Sequence, residues 1–227
     1  MKLNFKQLAI IYFIMLYLHI TAVVYFPSVE PFTKPFLMLI LLYWLYTHKS
    51  RITNKGVFNA TALALVFSLI GDEFMVFEVG RPLVFLGGLS SFLIAHLFFI
   101  RAFSFQRNKK LKVSNSFLFS LMLQGVIIFM IFDKHIDNQL KIPMYLYCLV
   151  IISMVNFAYL RKNSIDRWNW NIGVIGAFSF VISDLLLAYN AFVTPFKFAP
   201  FVLLTHYGIA QFLIVNSIIY SFEAPED

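Results

Sequence analysis

Asp72 and Asp184 are carboxylates set inside long apolar stretches of the chain. A charged residue at the centre of a membrane helix costs on the order of 2.5–3.5 kcal/mol on insertion scales, so such residues face a bundle interior or a wet cavity and mark functional sites by default. The chemistry open to two such acids is proton transfer. The structural alternative is that each bonds neighbouring hydroxyls or Lys34 and merely holds helices together. Their contexts match: Phe67-Ser68-Leu69-Ile70-Gly71-Asp72 is echoed by Phe180-Val181-Ile182-Ser183-Asp184, and each segment is followed by a histidine, His96 or His206.

Several polar residues fall near these acids. Ser68 precedes Asp72 by four residues and shares its helix face, where its hydroxyl can bond the carboxylate, a substrate or its own backbone. Glu73 is turned about 100° around the helix from Asp72, so it is a third acid aimed elsewhere. Glu78 belongs at the membrane interface as a solvated helix end. Tyr207 and Gln211 are one turn apart on a single face, and with His206 they open the last apolar segment near the depth of the aspartates. His96 is expected nearer the cytoplasm than either aspartate, as a packed histidine or a site residue. Gly87, Gly88, Ser90 and Ser91 form a small-residue patch suited to close helix packing.

These residues need a scaffold, and composition states its solvent. Hydrophobic residues make up 60% of the 227, charged residues 13%, and mean hydropathy is +0.79, values that demand lipid around the chain. The net charge of +7 resides in short loops between apolar runs, which suits lipid headgroups and argues against nucleic acid. Cys148 is the one cysteine, so an intramolecular disulfide and a cysteine metal site are excluded. No metal or cofactor is expected, and HExxH, GxSxG, P-loop and GxGxxG patterns are missing.

A spanning helix needs roughly 20 apolar residues. On that rule the chain is a single all-α membrane domain over 1–227, a bundle of eight transmembrane helices near 6–26, 34–47, 57–77, 82–103, 113–132, 139–160, 170–193 and 199–221. The run from Leu8 to Phe26 is long for a signal segment and is expected to be an uncleaved first helix. The second helix is the shortest, with Thr33 as its expected N-cap and Lys34-Pro35 in its first turn. Of the 18 Lys and Arg residues, 13 fall in the N-terminal tail and alternate loops. The other five, Lys34, Arg81, Lys134, Lys141 and Lys197, fall on the opposite side. The positive-inside rule then puts both termini in the cytoplasm of a multi-pass protein of the cell membrane, the bacterial inner membrane. Four helices after four would make a parallel repeat about an axis along the membrane normal.

The chain resembles the YhhN-like lysoplasmalogenase family of multispanning membrane proteins. The resemblance is carried by Thr33-Lys34-Pro35, Phe67 through Asp72, Phe92-Leu93-Ile94-Ala95-His96, Pro143 through Met154, Gly176-Ala177-Phe178 leading to Ser183-Asp184, and His206-Tyr207-Gly208-Ile209-Ala210-Gln211. Glu73 stands where an apolar residue is expected.

The resemblance implies hydrolysis of the vinyl ether bond of a lysoplasmalogen, giving a fatty aldehyde and glycerophosphoethanolamine or glycerophosphocholine. In that implied scheme Asp72 and Asp184 are catalytic, one as acid and the other as an ionised carboxylate that stabilises an oxocarbenium ion and activates water, the division of labour used by glycosidases. Lys34, Ser68, His96, His206, Tyr207 and Gln211, with Glu73 as the third acid beside them, are the candidate substrate-binding set, with Lys34 on the lipid phosphate. The partners are then a lysophospholipid substrate and membrane lipids. Two other expectations stay open: a proton- or ion-coupled transporter or flippase in which the aspartates relay protons, and a hydrolase of another lysolipid.

Overall fold

The computed structural model describes residues 3–77, 81–111 and 115–222, and Glu78 lies outside them. Among the described residues the chain forms eight α-helices: α1 (Phe5–Tyr25), α2 (Glu30–Thr47), α3 (Lys55–Val76), α4 (Pro82–Phe105), α5 (Asn115–Phe132), α6 (Asn138–Tyr159), α7 (Arg167–Phe192) and α8 (Ala199–Tyr220). A 3-10 turn over Pro27–Val29 joins α1 to α2. In lipid every backbone N–H and C=O must be satisfied within the chain, which is why apolar sequence here becomes helix. α1, α3, α4, α6, α7 and α8 are each long and apolar enough to cross a membrane.

Local chemistry sets the helix starts. Asn4 and Gln7 close a reciprocal capping box at α1. Asn54 accepts from Gly56 N at α3, and Asp166 accepts from Asn169 N at α7. Prolines occupy the first turn of α2, α4 and α8, where the missing N–H costs nothing.

One start differs from the sequence expectation. α2 begins at Glu30 with Val29 as its N-cap, so Thr33 is not the cap and Pro35 lies inside the helix. Pro31 already supplies the first-turn proline. The Thr33 hydroxyl turns back onto the Val29 and Glu30 carbonyls and meets His19 Nδ1 at 2.9 Å.

Two antiparallel hairpins, α3 with α4 and α7 with α8, make the most extensive contacts. α8 is the central helix, touching α1, α2 and α3 as well as α7, and it is the most buried of the six candidate spans. α4 and α7 both pack on α6, and α5 leans on α6. Gly208 permits the α1–α8 crossing, since a Cβ there would lie 2.6 Å from Leu16. Gly88 does the same for α3 and α4 against Met75, the close packing expected of that patch. Large apolar side chains such as Ile10, Leu83, Ile142, Leu149 and Trp168 stay exposed on the helix faces, which suits hydrocarbon as the surrounding medium.

Candidate active site

The two aspartates sit in separate hydrogen-bond networks. Asp72, on α3, is buried, and the Tyr207 hydroxyl of α8 donates to its Oδ2 at 2.8 Å. One turn on, the Gln211 amide donates to Ser68 Oγ at 2.9 Å and approaches the Tyr207 hydroxyl at 3.4 Å. Tyr207 has a single proton, so its oxygen accepts from Gln211 while its O–H points at the carboxylate. Ser68 is therefore engaged by Gln211 and not by Asp72. All four side chains are buried.

Beside this network lies Lys34, also buried, with Nζ 3.7 Å from Glu30 Oε1. Its ammonium is within Coulombic reach of Asp72, Glu73 and His19. Two buried atoms here, Glu73 Oε1 and His19 Nε2, have no partner. The lysine is thus already paired with Glu30, which offsets its charge before any phosphate arrives.

Asp184, on α7, belongs to the second network. The Tyr147 hydroxyl of α6 donates to its Oδ2 at 2.5 Å, and His96 Nε2 of α4 lies 3.4 Å from the same oxygen and 2.9 Å from the Tyr147 hydroxyl. With Tyr147 donating to Asp184, its oxygen is left to accept from an Nε2–H histidine, and His96 Nδ1, buried without a partner, fits that tautomer. The expectation that His96 sits nearer the cytoplasm than Asp184 is therefore overturned. The packing of α4 and α7 against α6 brings the two side chains to one level, which a residue count along each helix does not convey.

Phenylalanines separate the networks. The Phe180 ring meets His96 at 4.5 Å and Tyr207 at 5.4 Å between centroids, and Phe92 meets Tyr207 at 6.0 Å. On the far side of Phe92 opens a cleft between α4, α6 and α7, with Phe132 and Ile136 also in its lining. Its lining is mostly apolar, and the polar groups in it are Asp184, Tyr147, Tyr145 and the Cys148 thiol. Asp184 thus reaches an apolar chamber, whereas Asp72 is walled off behind Phe92.

His206 joins neither acid; it is half-buried, with Nδ1 3.5 Å from Ser179 Oγ. Tyr147 carries none of the roles expected from the sequence, although it lies within Pro143 through Met154; Tyr145 and Tyr159 share its helix, and nothing in the sequence singles it out. Among the described residues no three His, Cys, Asp or Glu side chains gather as a metal site.

This arrangement can be set beside known proteins. The chain is 28% identical over 158 residues to lysoplasmalogenase TMEM86B of Homo sapiens, covering 70% of this chain and 62% of that protein. It is 30% identical over 155 residues to lysoplasmalogenase TMEM86B of Sus scrofa, covering 68% and 61%. Lysoplasmalogenase TMEM86A of Homo sapiens is 26% identical over 173 residues, covering 72% and 67%. The matched region thus spans about 62% of the length of the first of these relatives. No solved structure gives a significant match. The YhhN family model matches residues 29–218, which takes in both acid networks and the cleft wall, and the chain belongs to the YhhN family.

Proposed function

We propose that this protein is a membrane-embedded hydrolase that cleaves the vinyl ether bond of lysoplasmalogens. The observation that carries the reading is Asp184, bonded by Tyr147 and His96, standing as the acid in the wall of an apolar cleft. The relatives bearing the name lysoplasmalogenase support the same reaction.

The alkenyl chain occupies the cleft and brings its double bond to Asp184. Protonated Asp184 transfers its proton to the alkene carbon remote from the ether oxygen, leaving an oxocarbenium ion. Water adds to the cationic carbon while the Asp184 carboxylate takes up a proton, and the hemiacetal collapses to fatty aldehyde and the free glycerol hydroxyl. The Phe-lined wall keeps bulk water from the cation. Tyr147 and His96 orient the carboxyl and stabilise the carboxylate that proton transfer leaves. Asp72 acts one aromatic layer back. Its bond from Tyr207 fixes the wall made by Phe92 and Phe180, and its negative charge favours the cation.

On loop charge we place both termini in the cytoplasm, with eight helices crossing the cell membrane. The acids then exchange partners between halves of the chain: Asp72 of α3 bonds α8, and Asp184 of α7 bonds α4. That reciprocity supports the 4+4 parallel repeat.

Purified protein incubated with a lysoplasmalogen is the test. Fatty aldehyde is released, and the saturated alkyl ether analogue is left intact. Failure to release aldehyde across pH and lipid composition would remove this reading, and proton-coupled lipid flux without cleavage would replace it with transport.

A further inference from the structure

The rim of the cleft carries an ion pair that the hydrolytic reaction does not use. Lys141, near the start of α6, places Nζ 2.8 Å from Asp133 Oδ1 in the α5–α6 turn. Tyr145, one turn after Lys141, donates its hydroxyl to the same oxygen at 2.6 Å. Both charged side chains are partly open, 25% exposed for Lys141 and 33% for Asp133. Phe132, Ile136, Met144 and Tyr145, which flank the pair in sequence, line the cleft.

We propose that Lys141 and Asp133 form the headgroup site for a zwitterionic glycerophospholipid, Lys141 holding the phosphate and Asp133 the ammonium. This rests on the reading that the cleft takes the lipid's chain. Three features carry it. Lys141 spends one of its three N–H donors on Asp133, and both bonds to Asp133 fall on Oδ1, which leaves Oδ2 to accept from a ligand. Tyr145, which bonds Asp133, lines the same cleft as Tyr147, so the ion pair and the Asp184 network share one wall. Lys34, the other lysine considered for the phosphate, is buried and already paired with Glu30. A paired cation and anion reject a lone anionic or cationic headgroup and match one that carries both charges.

Binding of a non-cleavable ligand tests the site without relying on turnover. The probes are a 1-O-alkyl lysophosphatidylethanolamine and the 1-O-alkylglycerol that lacks its headgroup, titrated into detergent-solubilised protein. Lys141→Met weakens binding of the phospholipid by about ten- to hundredfold, the range of one charge-assisted hydrogen bond, and leaves the alkylglycerol unchanged. Lys141→Arg restores most of the phospholipid affinity. Asp133→Asn weakens the ethanolamine lipid more than the matching 1-O-alkylglycerol phosphate. Unchanged phospholipid binding in Lys141→Met, or equal loss for both probes, overturns the proposal. Absence of aldehyde from a vinyl ether substrate would count against the hydrolase reading alone.

Discussion

Tyr147 donates its hydroxyl to Asp184 at 2.5 Å, from a helix to which no functional role was assigned in the sequence. The bond joins α6 to α7 at the wall of the apolar cleft, and His96 completes it from α4. Asp72 has an equivalent partner in Tyr207 but no such opening.

That difference in access orders the two acids. Asp184→Asn lowers turnover by ~10²–10⁴, the usual share of a general acid, whereas Asp72→Asn keeps its Tyr207 bond through the amide oxygen and loses only about tenfold. Rates of aldehyde release from the purified variants decide it. A larger loss in Asp72→Asn would reverse the assignment.

Tyr147→Phe removes the donor to Asp184 and the acceptor for His96 while keeping the ring in place. Turnover falls by about 10–100-fold, as for loss of one hydrogen bond to a charged group, with KM little changed. A rise in KM at constant kcat would mean that Tyr147 binds substrate and does not position the acid.

Cleft filling should discriminate by chain length. Ala188 lies one turn after Asp184 and lines the same cleft, so Ala188→Phe blocks long alkenyl chains more than short ones, in protein whose folding is checked by thermal unfolding in detergent. The measurement is KM across a series of chain lengths. Uniform effects across the series would argue that the chain lies elsewhere.

At the other end of the bundle, Arg161 is wholly buried and donates to the Ser217 hydroxyl and carbonyl at 2.8 and 2.9 Å. A Cβ on Gly173 would lie 2.3 Å from Ser217 Oγ, which is already committed to the Asn169 carbonyl. Gly173→Ala therefore costs at least about 2 kcal/mol by breaking a charged hydrogen bond in the interior. Thermal unfolding in detergent reads it, and a variant as stable as the parent would refute it.

The rim pair gives a pH signature. The hydrogen bond from Lys141, and after it that from Tyr145, hold the Asp133 carboxyl below its usual value. A lowered carboxylate pKa contributes stability that is present above the unfolded value of about 3.9 and is lost as pH falls through the folded one. Stability therefore declines with acid below about pH 4, and Asp133→Asn removes part of that decline. Identical acid profiles for parent and variant would show that the pair is not coupled to folding.

Composition and apolar run length were enough for an all-helical membrane chain, because lipid leaves an apolar backbone few other ways to satisfy its polar groups. The helix face shared by Tyr207 and Gln211 followed from a four-residue spacing, and the cost of charge in lipid singled out both aspartates. The start of α2 escaped because two prolines competed for the first turn, and only packing shows that Pro31 occupies it. Partnership between helices was beyond the sequence altogether. Which side chains meet depends on how α4, α6, α7 and α8 cross, a property of long-range contacts that periodicity does not encode. Tertiary structure alone brought His96 and Tyr147 to Asp184, put Phe92 and Phe180 between the two acids, and left Asp184 as the one facing the cleft.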